Sequence, residues 1–272
     1  MSAGFPCLDL GHWRGTRETL RDYAELLAQV RAACAPPRKH GWHRTLMATA
    51  RGLSTTPLPA GTHAVEIVLD MSGHQVVIAD SLGGITGIPL LGQRAGELRQ
   101  TLLQALYLAG LELALEEPDC CEVTPHHYDH LSAEHYWRAL SRIDLSLKRL
   151  QGELPGECSP VHFLAQPFDL VLDWIGLEHR HDALVDLDGK APPLLRWGFS
   201  AGNRTIAQPH CYVAYLLPVE TSKDGDLPSG AFWAHSRDSR LALPYTALEH
   251  SDDPVAMLDA FLRVSWNLLP GN

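Results

Sequence analysis

Residues 63–80 read HAVEIVLDMSGHQVVIAD, and the alternation within them decides the fold class. Val65, Ile67 and Leu69 recur at every second position between more polar neighbours, which is the period of a strand with one buried face. Met71 to Gly73 turn the chain and His74 to Asp80 return it, so the stretch predicts an antiparallel hairpin. Helical stretches flank it. Leu20, Tyr23, Leu27, Val30 and Cys34 fall on one stripe of a helix expected from Thr16 to Cys34, which Pro36 and Pro37 stop. A strand is expected over His43 to Ala50, and a helix from Gly92 to Leu108, ended by Gly110.

The second half follows the same order of elements without repeating the letters. Ser132 is placed to cap a helix whose apolar face is Tyr136, Leu140, Ile143, Leu147 and Leu150. One long strand is expected in SPVHFLAQPFDLVLDW, Ser159 to Trp174, followed by a loop over Glu178 to Asn203. A strand at Cys211 to Leu217, a pair at Ala231 to His235 and Arg240 to Tyr245, and a last helix capped by Asp252 or Asp253 complete the chain. The expectation is an α+β protein of two pseudo-repeated halves, residues 1–118 and 119–272, in one compact unit. Each half runs helix, antiparallel strands, helix, packed as sheet-and-helix layers. His43 and His162 would then head matching strands whose ends face one another. Accidental similarity of element order is the competing reading.

Composition excludes several classes. With 45% hydrophobic residues over 272 positions the chain can bury a substantial core. A net charge of -10 argues against binding a nucleic-acid backbone, which needs clustered lysine and arginine. The start, MSAGFPCLDLGHWRGT, lacks a basic region followed by an apolar run, and the leucine-rich stretch from Thr101 to Leu115 is too short to span a bilayer. Cytoplasm is therefore the expected location, with neither membrane nor nucleic acid as partner. Six cysteines without a C-x-x-C pair fit idle thiols in a reducing compartment. Few lysines against many arginines point to a bacterium with a GC-rich genome.

Histidine and aspartate carry the candidate chemistry. His162 sits among Val161, Phe163 and Leu164, where burial would oblige both ring nitrogens to find partners. Asp169 is the candidate carboxylate beside it, but along one uninterrupted strand positions 162 and 169 face opposite ways, so a bulge at Pro167 would be required. His40, Trp42 and His43 offer an aromatic wall and two titratable groups, with Arg51 as an anion partner. His74, at the start of a return strand, is expected on the surface. In HHYDHLSAEHYW, His126, His130 and neighbouring histidines could share a metal if they lay on one helical face, against which stands a solvated helix entry. His179 and His181 lie in the long charged loop. Phosphate-loop, dinucleotide, G-x-S-x-G, H-E-x-x-H and kinase signatures are all missing.

Several segments together resemble the uncharacterised bacterial family catalogued as domain of unknown function 5996. They are TRETL, the run from Ala35 to Gly84, YDHLSAEHYWRAL, and CSPVHFLAQPFDL from Cys158 to Leu170. His40, Trp42, Arg51, Gly52, His74, Tyr128, Asp129, Trp137, His162, Phe168 and Asp169 match the family pattern. Two departures stand out. Ala165 replaces an aromatic, and Pro193 to Trp197 stand where the pattern has a Ser-His-Glu run before Gly198-Phe199, which leaves Arg196 or His210 as replacements. The resemblance implies a shared fold and no activity.

The resulting expectation is a bacterial cytoplasmic enzyme acting on a small molecule in a pocket lined by histidine, aspartate and aromatic residues. His162, Asp169, His43 and Tyr128 are the catalytic candidates, and His40, Trp42 and Arg51 the ligand-binding ones. Two alternatives are a non-catalytic binding protein using the same pocket, and a metalloprotein holding a divalent ion through His126, His130 and His210, or through His40, His162 and His210. No cofactor is required by the sequence, and it leaves the oligomeric state open.

Overall fold

The computed structural model describes residues 4–115, 127–176, 195–203, 205–215, 227–235 and 239–267. It is an α+β protein with two antiparallel sheets. The chain divides into two compact units: an N-terminal one of residues 8–137 with 163–166, and a C-terminal one of residues 1–7, 138–162 and 167–272.

The N-terminal unit opens with α1 (Leu10–Cys34), which starts earlier than Thr16 because the Asp9 side chain accepts the Gly11 N–H at 3.0 Å. Lys39–Arg44 form a 3-10 segment, not the head of a strand; His40 and Gly41, at φ 56 and 70, are left-handed and cannot enter a sheet there. The expected matching of His43 with His162 at strand heads is therefore corrected. The strands are β1 (Met47–Ala48), β2 (Gly52–Ser54), β3 (Leu58–Ala60), β4 (His63–Asp70), β5 (Gln75–Asp80) and β6 (Ile85–Pro89), followed by α2 (Ala95–Leu108). Their order is β1-β2-β4-β5-β6, with β3 also on β4. The predicted hairpin is β4 and β5, pairing Val65 with Asp80 through Asp70 with Gln75. Val65, Ile67, Leu69, Val76 and Ile78 are buried with Leu20, Tyr23, Leu27 and Val30 of α1 and Leu98, Leu102 and Leu106 of α2.

Helix α3 (His130–Glu153) begins in this unit and continues into the other. Its cap is Asp129 in place of Ser132: the Asp129 carboxylate accepts the Ser132 N–H at 2.7 Å.

The C-terminal sheet contains β7 (Glu157–Cys158), β8 (His162–Leu164), β9 (Asp169–Gly176), β10 (Leu195–Ser200), β11 (His210–Tyr215), β12 (Phe232–His235) and β13 (Ser239–Pro244). Their order is β12-β13-β11-β10-β9-β7, with β8 on β9. The strand expected from Ser159 to Trp174 is thus two strands joined by a turn through Pro167 and left-handed Phe168 (φ 79). In both sheets two short strands lie along one long strand: β2 and β3 on β4, β7 and β8 on β9. By this topology β8 corresponds to β3. Short α4 (Tyr245–Glu249) and α5 (Pro254–Asn267) close the unit, with the Asp253 carboxylate accepting the Ala256 N–H at 3.0 Å.

One face of this sheet is apolar: Leu170, Leu172, Trp174, Leu195, Trp197, Phe199, Val213, Tyr215, Leu241 and Leu243 are buried. Ser265 ties α5 to it, accepting from Trp197 Nε1 at 2.7 Å through its hydroxyl and from the Tyr215 hydroxyl at 2.8 Å through its carbonyl. An antiparallel sheet usually leaves its second face to water. Here every residue of β9 is buried, so along β9 the second face is buried as well.

Candidate functional site

The second face of the C-terminal sheet is polar. Along β9, Asp169, Val171 and Asp173 share it by the two-residue period. Register then places Ser200, Gly198 and Arg196 of β10 beside them, and His210, Tyr212 and Ala214 of β11 beyond. Pro244, Ala242 and Arg240 of β13 form the next row. Strand β10 lies in the stretch expected to be a loop. Pro193 and Gly198 read there as turn residues, yet Gly198 serves packing: a Cβ on it would lie 2.6 Å from the Tyr212 ring.

That missing side chain lets Tyr212 lie across β10 and donate its hydroxyl to Asp169 Oδ2 at 2.9 Å. Asp169 is 2% exposed, and its Oδ1 accepts no hydrogen bond from the described residues. Burial pushes its carboxyl above the ordinary range, against the pull of the Ser200 and Tyr212 hydroxyls and the Arg240 and Arg196 charges. The Tyr212 phenol is held protonated, first by burial and then by Asp169.

Asp173 has a different partner. Arg196 donates to it twice, Nε to Oδ1 at 2.6 Å and Nη2 to Oδ2 at 2.9 Å, the planar fork that guanidinium and carboxylate form best. His162, 2% exposed, points Nε2 at Asp173 Oδ2 from 4.0 Å. The carboxylate near His162 is therefore Asp173 and not Asp169, because the hairpin turn replaces the bulge the sequence required. His162 Nδ1 donates to the Pro160 carbonyl at 2.8 Å, and His210 Nδ1 does the same to the Gln208 carbonyl at 2.8 Å. A carbonyl only accepts, so both rings carry their proton on Nδ1 when neutral. Burial lowers the basicity of His210, helped by the Arg240 charge and opposed by the bond to the Gln208 carbonyl.

The remaining candidates belong to the N-terminal unit. His40 and Trp42 rings approach to 4.9 Å, and His43 Nδ1 accepts the Arg38 N–H at 3.1 Å. Arg51 pairs with buried Asp70 at 2.5 Å. His74 is not on the open surface: its side chain is 16% exposed, because the Tyr128 hydroxyl lies 3.1 Å from Nδ1, Glu134 lies 3.5 Å from Nε2, and His130 stacks on its ring at 3.9 Å. The burial of Tyr128 comes first among the causes that keep its phenol protonated. His126, His179 and His181 lie outside the described residues. Among the described residues no three His, Cys, Asp or Glu side chains are grouped to hold a metal ion.

Residues 5–269 match the family of unknown function DUF5996. The chain belongs to that family. No curated protein and no solved structure matches it. Within this DUF5996 member, Arg196 and His210, the two residues named as replacements for the Ser-His-Glu run, both stand on the polar sheet face. Asp173, Ser200, Tyr212 and Arg240 were not singled out by the sequence. A signal for one of them was present: Asp173 lies four residues past Asp169, hence on the same strand face.

Proposed function

We propose that the polar face of the C-terminal sheet is the working site of an enzyme that acts on a small polar molecule. The observation that supports this reading is Asp169, a buried carboxyl that takes the Tyr212 hydroxyl on Oδ2 and no hydrogen bond from the described residues on Oδ1. An acid raised by burial is suited to hand over a proton, and the rings of His162 and His210, whose Nδ1 protons go to backbone carbonyls when the rings are neutral, are the bases beside it. Such acids and bases set apart by environment are the usual equipment of general acid–base chemistry. The protein is taken to work in the bacterial cytoplasm, in keeping with its arginine-rich composition.

The test is a panel of small polar metabolites, screened by thermal shift and then by mass spectrometry for turnover. Asp169→Asn and His162→Gln are expected to melt within a few degrees of the parent and to lose turnover by at least about a hundredfold. Hits that bind and survive unchanged would make the protein a binder and not an enzyme. Hits to which both variants respond like the parent would place the site elsewhere.

A further inference from the structure

Arg31 is a buried cation that the fold leaves without a counter-charge. It stands in the last turn of α1 and is 5% exposed, and its Nε and Nη1 are enclosed with no acceptor among the described residues. Its helix neighbours Leu27, Ala28, Cys34 and Ala35 offer no carboxylate. Burial, and after it the charge of Arg38, pulls the guanidinium below its ordinary pKa. The C-terminal end of a helix favours a cation, but that attraction satisfies neither nitrogen. An arginine on a protein surface commonly buries its stem and keeps its head in water, whereas here two nitrogens of the head are themselves out of water. A guanidinium removed from water at such a cost is normally held by an anion.

The surrounding chain supplies more cations and no anion. Between Glu25 and Glu66 there is no acidic residue, in a protein of net charge -10, whereas Arg31, Arg38, Lys39, Arg44 and Arg51 all fall within that stretch. Arg51 is engaged by Asp70. Arg38, Lys39 and Arg44 are exposed. The 3-10 segment Lys39–Arg44 packs on α1, and Arg38, just before it, is fixed by donating its backbone N–H to His43 Nδ1 at 3.1 Å. Within the segment, Trp42 Nε1 is another enclosed donor without an acceptor among the described residues. An indole N–H only donates, as a guanidinium does, so what this part of the fold lacks is an acceptor with negative charge.

We propose that the C-terminal turn of α1 and the 3-10 segment after it form a second ligand site, which takes the phosphate group of a small phosphate monoester with Arg31 as buried anchor and Arg38 as exposed second cation. A monoester carries close to two negative charges near neutral pH, which two guanidiniums balance, and its oxygens fit the guanidinium fork. A carboxylate would balance only one. The site lies in the N-terminal unit and does not depend on the polar face of the C-terminal sheet, so either reading can fail alone. An anchor of this kind is kept at the expense of the unliganded fold, which fixes the sign of one measurement.

The experiment is titration calorimetry of the full chain with phenyl phosphate at about pH 7.5 and about 0.1 M salt, with benzoate as the carboxylate arm and phenol as the uncharged control. Phenyl phosphate is expected to bind more tightly than either. Arg31→Met, which keeps an unbranched stem and removes the charge, should weaken it at least about tenfold, and the exposed substitution Arg38→Gln about threefold or more. Without ligand, Arg31→Met should unfold at the parent's urea midpoint or above it. No heat from phenyl phosphate at about 10 mM, or binding of benzoate or phenol as tight as that of phenyl phosphate, overturns the proposal. So does phenyl phosphate binding that ignores either variant, which would belong elsewhere on the molecule. An unliganded Arg31→Met that unfolds more readily than the parent would show the guanidinium already satisfied within the fold and overturns the anchor, and Arg38→Gln keeps the binding arm readable in that case.

Discussion

Gly198 is the residue on which the candidate site depends most directly. Tyr212 occupies the volume a side chain would need, so Gly198→Ala must displace the ring and break its bond to Asp169. The expected cost is about 1–3 kcal/mol, read as a lower urea midpoint, whereas Tyr212→Phe keeps the ring in place and loses only the hydroxyl. Two of the buried titratable groups, Asp169 and His210, give opposite pH limbs. Asp169 is raised, so the folded state holds a proton the unfolded chain has released, and stability falls as pH rises from the ordinary carboxylate range toward the folded value. Asp169→Asn should flatten that limb. His210 is lowered, so the unfolded chain takes up a proton the folded one refuses, and stability falls as pH drops below about 6.5. His210→Gln should reduce that acid-side loss, measured by urea midpoints between about pH 7 and pH 5.

At the scale of elements, β2 tests the N-terminal sheet. A Cβ on Gly52 would lie 1.8 Å from the Leu69 carbonyl of β4, its neighbour in the ladder, and backbone cannot swing aside as a side chain can. Gly52→Ala is expected to cost about 3 kcal/mol or more and to speed amide exchange in β2 and β4, seen by hydrogen–deuterium exchange. The elements that the sequence announced are those with a local period or a clear stop: the β4–β5 hairpin, the stripes of α1 and α3, α2 ended at Gly110, and α5 with its Asp253 cap. Those it concealed break a local rule for a distant reason. Strand β10 was hidden by a glycine that exists for Tyr212, and the β8–β9 turn was hidden by an apolar run on both sides of Pro167. Strand β6, with its exposed face of Ile85, Thr86 and Gly87, offered no alternation to read.

At the scale of the whole molecule, a net charge of -10 sets the long-range field, and a face with two arginines is a local exception within it. The protein should leave a short DNA duplex unshifted at about 10 μM and physiological salt, because backbone binding requires many released counterions and not one seated anion. No helix among the described residues is long and apolar enough to cross a membrane. The amino-acid order by itself determined the α+β class, the family and the inward faces of most elements, since each follows from residues within a few turns or pleats of one another. The tertiary structure alone decided which polar groups meet. Asp169 reaches Tyr212 across 43 positions of chain and Asp173 reaches Arg196 across 23. Those meetings are set by the register of β9, β10 and β11, which depends on how turns and loops return the chain, and no local period encodes that return.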